Sequence, residues 1–134
     1  MSVVVDSSVV VAALVDTGAH GDWAEKILEL DSLYAPGNLP IEVANVIRRL
    51  ERGKGITEQE ANGAFQDLLE LDVELHGFEV FSERVWELRH NVAIYDGWYV
   101  ALAEALDVPL ATLDARLATA EGPKCRFLTP DSKE

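Results

Sequence analysis

Four carboxylates in this chain lie beside or inside apolar segments. Asp6 follows the run "SVVV", Asp114 follows "VPLATL", Glu42 lies just after "NLP", and Asp96 lies within "IYDGWYVALAEAL". That last segment is apolar around most of a helix, and an unpaired carboxylate there costs several kcal/mol or loses its charge. Oxygen ligands suit hard cations such as Mg²⁺ or Mn²⁺, whereas zinc prefers His or Cys. A bound divalent cation would therefore compensate Asp96.

Taken singly, each acid also has a purely structural explanation. Asp6 and Asp114 could each be the N-cap of a following helix. Glu42 could favour the dipole at the start of its helix, and Asp96 could cap a helix that begins at Gly97. Capping does not explain why all four acids would share one edge of a sheet, nor why Asp96 lies among aromatic residues.

Alternating strands and helices must position these acids. Short apolar runs predict the strands "SVVVD", "SLYAP", "VELHG", "VPLATLD" and "CRFLT". Apolar residues at helical spacing predict the helices "SSVVVAALVD", "AHGDWAEKILEL", "NLPIEVANVIRRLERG", "TEQEANGAFQDLLELD", "FEVFSERVWELRHN", "IYDGWYVALAEAL" and "ARLATA". The alternation predicts an α/β fold with three α/β/α layers, a central, mostly parallel sheet and one domain over residues 1–134. Ligands of such sheets bind beyond the carboxyl ends of the strands, so the four acids would share that edge.

Length and composition predict a soluble, cytoplasmic protein. The chain has 134 residues, of which 49% are hydrophobic and 26% charged, and its longest apolar run, Val9–Val15, is too short to cross a membrane. The N-terminus shows no secretory pattern. Cys125 is the single cysteine, which excludes an internal disulfide and fits a reducing cytosol. We expect it in a buried strand.

The charge is strongly acidic but unevenly distributed. A net charge of −13 argues against capture of nucleic acid by the overall field of the chain. One local cluster is basic: Arg48, Arg49, Arg52 and Lys54. It could hold phosphate, with Arg49 as the candidate substrate contact, or it could be a solvated helix end that favours the dipole. Trp98 and Tyr99 could stack on bases, although their helical spacing favours core packing.

Four segments resemble, in order and spacing, the four motifs of the PIN-domain family. They are "VVVDSS", "PIEVANVIRR", "YDGWYVALAEAL" and "LATLDARL". In so short a chain they resemble the VapC ribonuclease toxins of VapBC toxin–antitoxin pairs, and the match covers essentially the whole sequence. The resemblance implies that Asp6, Glu42, Asp96 and Asp114 form an acidic catalytic and metal-binding site. It also places Ser7 and Thr112 at polar positions near that site. Gly97 departs from the family, where a small residue with a Cβ is more usual.

The resemblance implies a function as well as a fold. It implies an endoribonuclease that depends on Mg²⁺, with Mn²⁺ as a possible substitute, and that hydrolyses RNA phosphodiester bonds. Glu42 is the candidate for orienting or deprotonating the attacking water. A small antitoxin protein would neutralise such a toxin, and a homodimer is expected. The apolar first helix, "SSVVVAALVD", offers surface for the antitoxin or for the dimer contact.

Two other classes of function remain open from the sequence. A phosphate-handling α/β protein is one, but a haloacid-dehalogenase-like phosphatase needs a second Asp where Ser8 stands. A receiver domain would need paired acids after the first strand and a Lys at the end of a late strand, and neither is present. The other class is a non-catalytic PIN-like binding module. The four intact acids argue against it, and an assay of metal-dependent cleavage decides.

Overall fold

All five predicted strands form, and they make one parallel sheet. The structure, a computed structural model, describes residues 1–131. The strands are β1 Ser2–Val5, β2 Ser32–Pro36, β3 Glu74–His76, β4 Leu110–Ala111 and β5 Phe127–Leu128. The helices are α1 Ser7–Val15, α2 Ala19–Leu28, α3 Leu39–Arg52, α4 Glu58–Glu70, α5 Ser82–Glu87, α6 Ile94–Leu106 and α7 Ala115–Ala118. The predicted α/β class is therefore confirmed.

The strand order places β1 at the centre of the sheet. The order is β3-β2-β1-β4-β5, and every pair is parallel. From β1 the chain winds outward through β2 and β3, then crosses back to form β4 and β5 on the other side. The winding direction reverses between β1 and β4, and in open α/β sheets such a reversal opens a crevice at the carboxyl ends. Asp6 and Asp114 follow the two strands that border this crevice.

The central strand β1 is a continuous apolar run because both of its faces are buried. Val3, Val4 and Val5 are all fully buried, as expected for a parallel strand covered on both faces. Right-handed crossovers put α1–α4 on one face of the sheet and α5–α6 on the other. Helix α6 is buried around most of its circumference, with Tyr99 and Leu102 at most 2% exposed. The predicted burial of this helix is confirmed for residues 97 and 99–103, whereas Ile94 and Tyr95, just before Asp96, are 42% and 63% exposed.

A capping box formed by Thr57 and Glu60 begins α4. The Thr57 hydroxyl accepts from the Glu60 amide at 3.0 Å, and the Glu60 carboxylate accepts from the Thr57 amide at 2.8 Å. These two bonds satisfy donors that a helix start otherwise leaves free.

The segment "FEVFSERVWELRHN" is not one continuous helix, so that prediction is wrong. Two 3₁₀ turns, Glu79–Phe81 and Leu88–His90, flank the short helix α5. The Ser82 hydroxyl donates to the Glu79 carbonyl, which favours the tight turn over a regular helix. Trp86, in α5, is 60% exposed and lies under the Arg89 guanidinium.

Gly97 allows α5 to approach α6 closely. It is buried, and a Cβ added there would lie 3.3 Å from Val85 Cγ1. The departure from the family pattern therefore fits a close contact between two helices. It does not loosen the start of α6, which begins three residues earlier at Ile94.

The position of Cys125 differs from the expected one. Cys125 lies before β5 rather than in it and is half-buried, so its placement in a buried strand was wrong. Its surroundings raise the pKa of the thiol to about 11, chiefly through burial and then through the nearby Glu104 charge.

Within residues 1–131, no helix combines the length and apolar character needed to cross a bilayer.

Candidate active site

Asp6 is the most constrained of the four acids. It follows β1 and caps α1, with Oδ1 accepting from the Val9 amide at 3.2 Å, so the capping explanation is correct as far as it goes. Two hydroxyls add to this: Ser8 Oγ donates to Oδ1 at 2.6 Å, and Thr112 Oγ1 donates to Oδ2. Asp6 is only 6% exposed. A cap needs one hydrogen bond, whereas this carboxylate is fixed by three.

The same hydroxyls join the ends of β1 and β4 across the crevice. Thr112 Oγ1 also accepts from the Asp114 amide at 3.0 Å, and Ser8 Oγ accepts from the Leu113 amide at 3.1 Å. Asp114 in turn caps α7, its Oδ1 accepting from the amides of the next turn. Thr112, a predicted polar position, is therefore a positioning residue for two of the acids.

Asp96 is not a cap. Helix α6 begins at Ile94 with Ala93 as its N-cap, so Asp96 is the third helical residue. Its side chain is half-buried and opens into a cavity of about 250 Å³ that Asp114 also lines. Within residues 1–131 its carboxylate accepts no hydrogen bond and forms no salt bridge. Capping of α6 therefore does not account for a carboxylate at this position.

Glu42 lies in the first turn of α3 and contacts α6. Its Oε1 accepts from the Tyr99 hydroxyl at 2.8 Å. Burial, followed by the Glu42 charge, raises the pKa of Tyr99 well above its usual value, so the phenol remains a neutral donor. The sequence favoured core packing of Tyr99 over stacking on bases, and Tyr99 is buried, but this hydrogen bond was not predicted. Its position three residues after Asp96, on the same helix face, was the available signal.

The four acids are close enough to perturb one another. Burial raises the pKa of Asp6 to about 6, against the hydrogen bonds from Ser8, Thr112 and Val9, and the Asp96 charge adds to the rise. The pKa of Asp96 is raised by burial, then by Asp114 and Glu42. Within residues 1–131 none of these four carboxylates forms a salt bridge, and a cluster of mutually perturbed acids is typical of functional sites.

The donor set fits a hard cation that keeps part of its water shell. Among residues 1–131, no three acidic, His or Cys side chains form a cluster that would ligate an ion unaided. Mg²⁺ does not require one, because it retains several waters and commonly uses one or two carboxylates together with substrate phosphates. The unpartnered carboxylate of Asp96, facing the cavity it shares with Asp114, fits that requirement.

The structure places Ser7 and Arg49 in a cleft beside the acids. With Glu42 they line a space of about 540 Å³. No hydrogen bond joins Ser7 to an acid within the described residues; its neighbour Ser8 holds Asp6 instead. Ser8 was considered only as evidence against a phosphatase, although an Asp–x–Ser sequence suits a local hydrogen bond between the two side chains.

Sequence comparison identifies the domain and two similar proteins. The PIN domain matches residues 3–123. Ribonuclease VapC1 of Mycobacterium tuberculosis is 42% identical over 125 residues, which is 92% of this chain and 94% of that protein. Ribonuclease VapC9 of the same organism is 34% identical over 123 residues, with the same two shares.

Solved structures with the same fold come from several organisms. PAE2754 from Pyrobaculum aerophilum has a TM-score of 0.68 at 21% identity, covering 95% of this chain and 83% of that one. VapBC2 from Rickettsia felis, bound to a DNA fragment from its promoter, has a TM-score of 0.65 at 14% identity, covering 96% and 98%. FitAcB from Neisseria gonorrhoeae has a TM-score of 0.65 at 16% identity, covering 96% and 97%. At these identities the similarity concerns the fold.

Proposed function

The chain belongs to the PIN-domain family, and we propose that it is a metal-dependent endoribonuclease, the toxin of a type II toxin–antitoxin pair. The observation that carries the proposal is the unpartnered Asp96 carboxylate among three other acids at the crevice between β1 and β4. Similarity to ribonucleases of the VapC group supports RNA as the substrate. In this proposal one group of residues binds the cation, and a second group fixes the position of the acids.

Asp6, Asp96, Asp114 and Glu42 form the proposed catalytic and metal-binding set. These residues would hold a Mg²⁺ or Mn²⁺ ion, which would supply Lewis acidity toward a phosphate oxygen and would lower the pKa of the attacking water. Asp6 is held rigid by its three hydrogen bonds, whereas the Asp96 carboxylate has no hydrogen bond or salt bridge among residues 1–131. The half-exposed Glu42 orients the attacking water and accepts its proton, and Tyr99 fixes its Oε1. Ser7 and Arg49 contact the RNA from the adjoining cleft.

The direct test is cleavage of RNA by purified protein that has been stripped of metal. Cleavage should require added Mg²⁺ or Mn²⁺, stop with EDTA and be lost in the Asp6→Asn variant. A non-catalytic binding module would bind RNA without cleaving it under any of these conditions. A phosphate-handling enzyme of another kind would release phosphate from monoesters while leaving RNA intact.

We further propose that the antitoxin docks on an apolar groove of about 390 Å³ beside α1. Val11, Ala12 and Val15 line it together with Val46 of α3, and it meets the 540 Å³ cleft at Ser7 and Val46. An apolar segment of the antitoxin would lie in the groove and extend an Arg or Lys into the acids, pairing with carboxylates that lack a cation. The charge of −13 would steer this basic segment, at a rate that falls as salt rises.

Truncation of the antitoxin tests this arrangement. An antitoxin that ends after its apolar segment should still bind, more weakly, while RNA cleavage returns. Full inhibition by the truncated form would refute the role of the basic residue.

We propose that a second copy covers the exposed apolar side chains between β3 and α5. Leu75, Phe78 and Trp86 are 43%, 38% and 60% exposed, and Val80 is 86% exposed. Because the chain is so acidic, its self-association needs an apolar contact. Val80→Lys should convert a homodimer to a monomer in sedimentation velocity, and an unchanged dimer would place the contact elsewhere.

A further inference from the structure

We propose that the cleft between α3 and the start of α6 binds one unpaired nucleotide of the RNA strand, next to the phosphodiester that is cleaved. The cleft measures about 540 Å³, within the range of pockets that hold small organic ligands. Glu42 lines it, so the cleft opens onto the acidic site. The inference rests on the proposed ribonuclease function and adds to it a defined subsite for substrate.

Tyr95 supplies an aromatic surface at the mouth of the cleft. It precedes Asp96 directly in α6 and is 63% exposed, whereas Tyr99 on the same helix is 2% exposed. Most of the Tyr95 residue is therefore accessible to a ligand in the cleft. Unpaired bases stack on such rings irrespective of their identity, which suits a single-stranded substrate.

Asn38 supplies an acceptor that the fold does not use. It precedes α3, but its side chain makes no capping hydrogen bond. Its Oδ1 is buried and has no partner within the described residues, which is uncommon for a buried polar atom. A nucleotide offers two kinds of donor to such an oxygen: the N–H groups of the base and the ribose 2′-hydroxyl.

Arg49 supplies an unpaired cation at the far end of the cleft. It lies seven residues after Glu42, so the two share a face of α3 and are separated by about 10 Å of helix rise. Although the chain has 24 acidic residues, Arg49 forms no salt bridge within residues 1–131. That separation places its guanidinium beside the next phosphate of the strand rather than the one at the acids.

The chemistry of this cleft distinguishes its occupant from an antitoxin. The groove lined by Val11, Ala12 and Val15 already offers the apolar segment of an antitoxin a separate place. The aromatic ring matches a base, and the guanidinium matches a phosphate. The amide oxygen matches a ribose hydroxyl or a base N–H. We therefore assign the cleft to RNA.

Fluorescence anisotropy tests the assignment without depending on cleavage. The probe is a 5′-labelled RNA of eight nucleotides in mixed sequence, titrated with protein that carries Asp6→Asn, and a DNA of matching sequence serves for comparison. Tyr95→Ala should weaken RNA binding about ten-fold, whereas Tyr95→Phe, which keeps the ring, should stay within two-fold. Arg49→Ala should weaken binding and lower the slope of log affinity against log salt by about 1.

The Asn38→Ala variant identifies the nucleotide group that donates a hydrogen bond to Asn38 Oδ1. It should weaken RNA binding several-fold. A loss confined to RNA assigns the donor to the 2′-hydroxyl, and an equal loss for DNA assigns it to the base. The matched controls are Phe65→Ala, another exposed ring, and Arg52→Ala, another exposed arginine of α3, neither of which lines the cleft.

Binding by Tyr95→Ala and Arg49→Ala that equals the two controls would overturn the proposal. So would a loss of binding in Tyr95→Phe as large as in Tyr95→Ala, because the ring would then not be the contact. Unchanged melting temperatures show that each variant is folded. Degradation of the labelled RNA by the Asp6→Asn protein would instead contradict the proposed catalytic role of Asp6, and the affinity ratios would still decide the cleft.

Discussion

Helix α6 carries two half-buried carboxylates in opposite electrostatic situations. Glu104, near its end, accepts two hydrogen bonds from the Arg84 guanidinium at 2.7 and 3.0 Å, and one from the Lys124 amide at 2.7 Å. Burial alone would raise the pKa of Glu104, but these bonds lower it below its usual value. Asp96, in the first turn, has no such partners in the described part of the chain, and its pKa is raised by burial and by neighbouring acids.

The comparison shows that a half-buried carboxylate on α6 can be paired with a cation of the same chain, as Glu104 is paired with Arg84. Arg84 also donates to the Gly122 carbonyl, so the ion pair ties α5, α6 and the loop before β5 together. Eight residues away, or about 12 Å of helix rise, Asp96 instead lies near Asp114 and Glu42, whose charges raise its pKa. We infer that Asp96 is reserved for a bound cation, because no side chain of residues 1–131 forms a salt bridge with it. The following predictions test this contrast, beginning with the largest effect.

Removing the charge from each carboxylate should separate activity from stability. Asp96→Asn should reduce RNA cleavage by about 1,000-fold or more, because electrostatic stabilisation by a metal contributes several kcal/mol. Its free energy of unfolding should hold or rise, since one repelling charge is removed. Glu104→Gln, the matched control on the same helix, should lose stability and keep its cleavage rate per folded molecule. An Asp96→Asn protein that unfolds would make Asp96 a structural acid.

Removing the cation from the structural pair should cost stability. Arg84→Met leaves Glu104 half-buried without its main partner and should lower the free energy of unfolding by about 2 kcal/mol, less than for a fully buried pair. Urea denaturation measures the loss. The double variant Arg84→Met with Glu104→Gln should recover part of it, because no unpaired charge then remains. No recovery would mean that packing, rather than charge, accounts for the effect.

The stability of the metal-free protein should fall as pH rises from about 4 to about 6. Asp6 ionises near 3.8 when unfolded and near 6 when folded, so between these values the folded state binds more protons. By linkage this contributes a fall of about 2–3 kcal/mol. Asp96 acts in the same direction, whereas Glu104 acts in the opposite one, losing stability as pH falls through its lowered pKa. Denaturation of wild type and Asp6→Asn across this range measures the first effect; parallel curves would contradict it.

The smallest effect should come from the phenol that holds Glu42. Tyr99→Phe removes one hydrogen bond to Oε1 while keeping the buried ring, so cleavage should fall about ten-fold, as for other residues that orient a ligand. The affinity for Mn²⁺, measured by calorimetry, should change less than the cleavage rate. A rate equal to wild type would show that Glu42 needs no such support.

Local patterns predicted most of the fold, while long-range pairs were missed. The valines of β1 and the capping box of α4 reflect short-range rules, and a topological rule then placed the acids at one edge. The bonds Tyr99–Glu42 and Arg84–Glu104 join residues 57 and 20 positions apart, and no periodicity reports such contacts. The break around α5 was missed for another reason: the Ser82 hydroxyl stabilises a tight turn that apolar spacing does not show.

The most direct test of the central claim is the effect of Mn²⁺ on the melting of protein first stripped of metal. A cation that binds only the folded site should add about 2.7 kcal/mol at one hundred times its dissociation constant, which raises the melting temperature by several degrees. Wild type and Glu104→Gln should both show this rise, and Asp96→Asn should show little or none. An equal rise in Asp96→Asn, or no rise in wild type with either Mn²⁺ or Mg²⁺, would contradict the account.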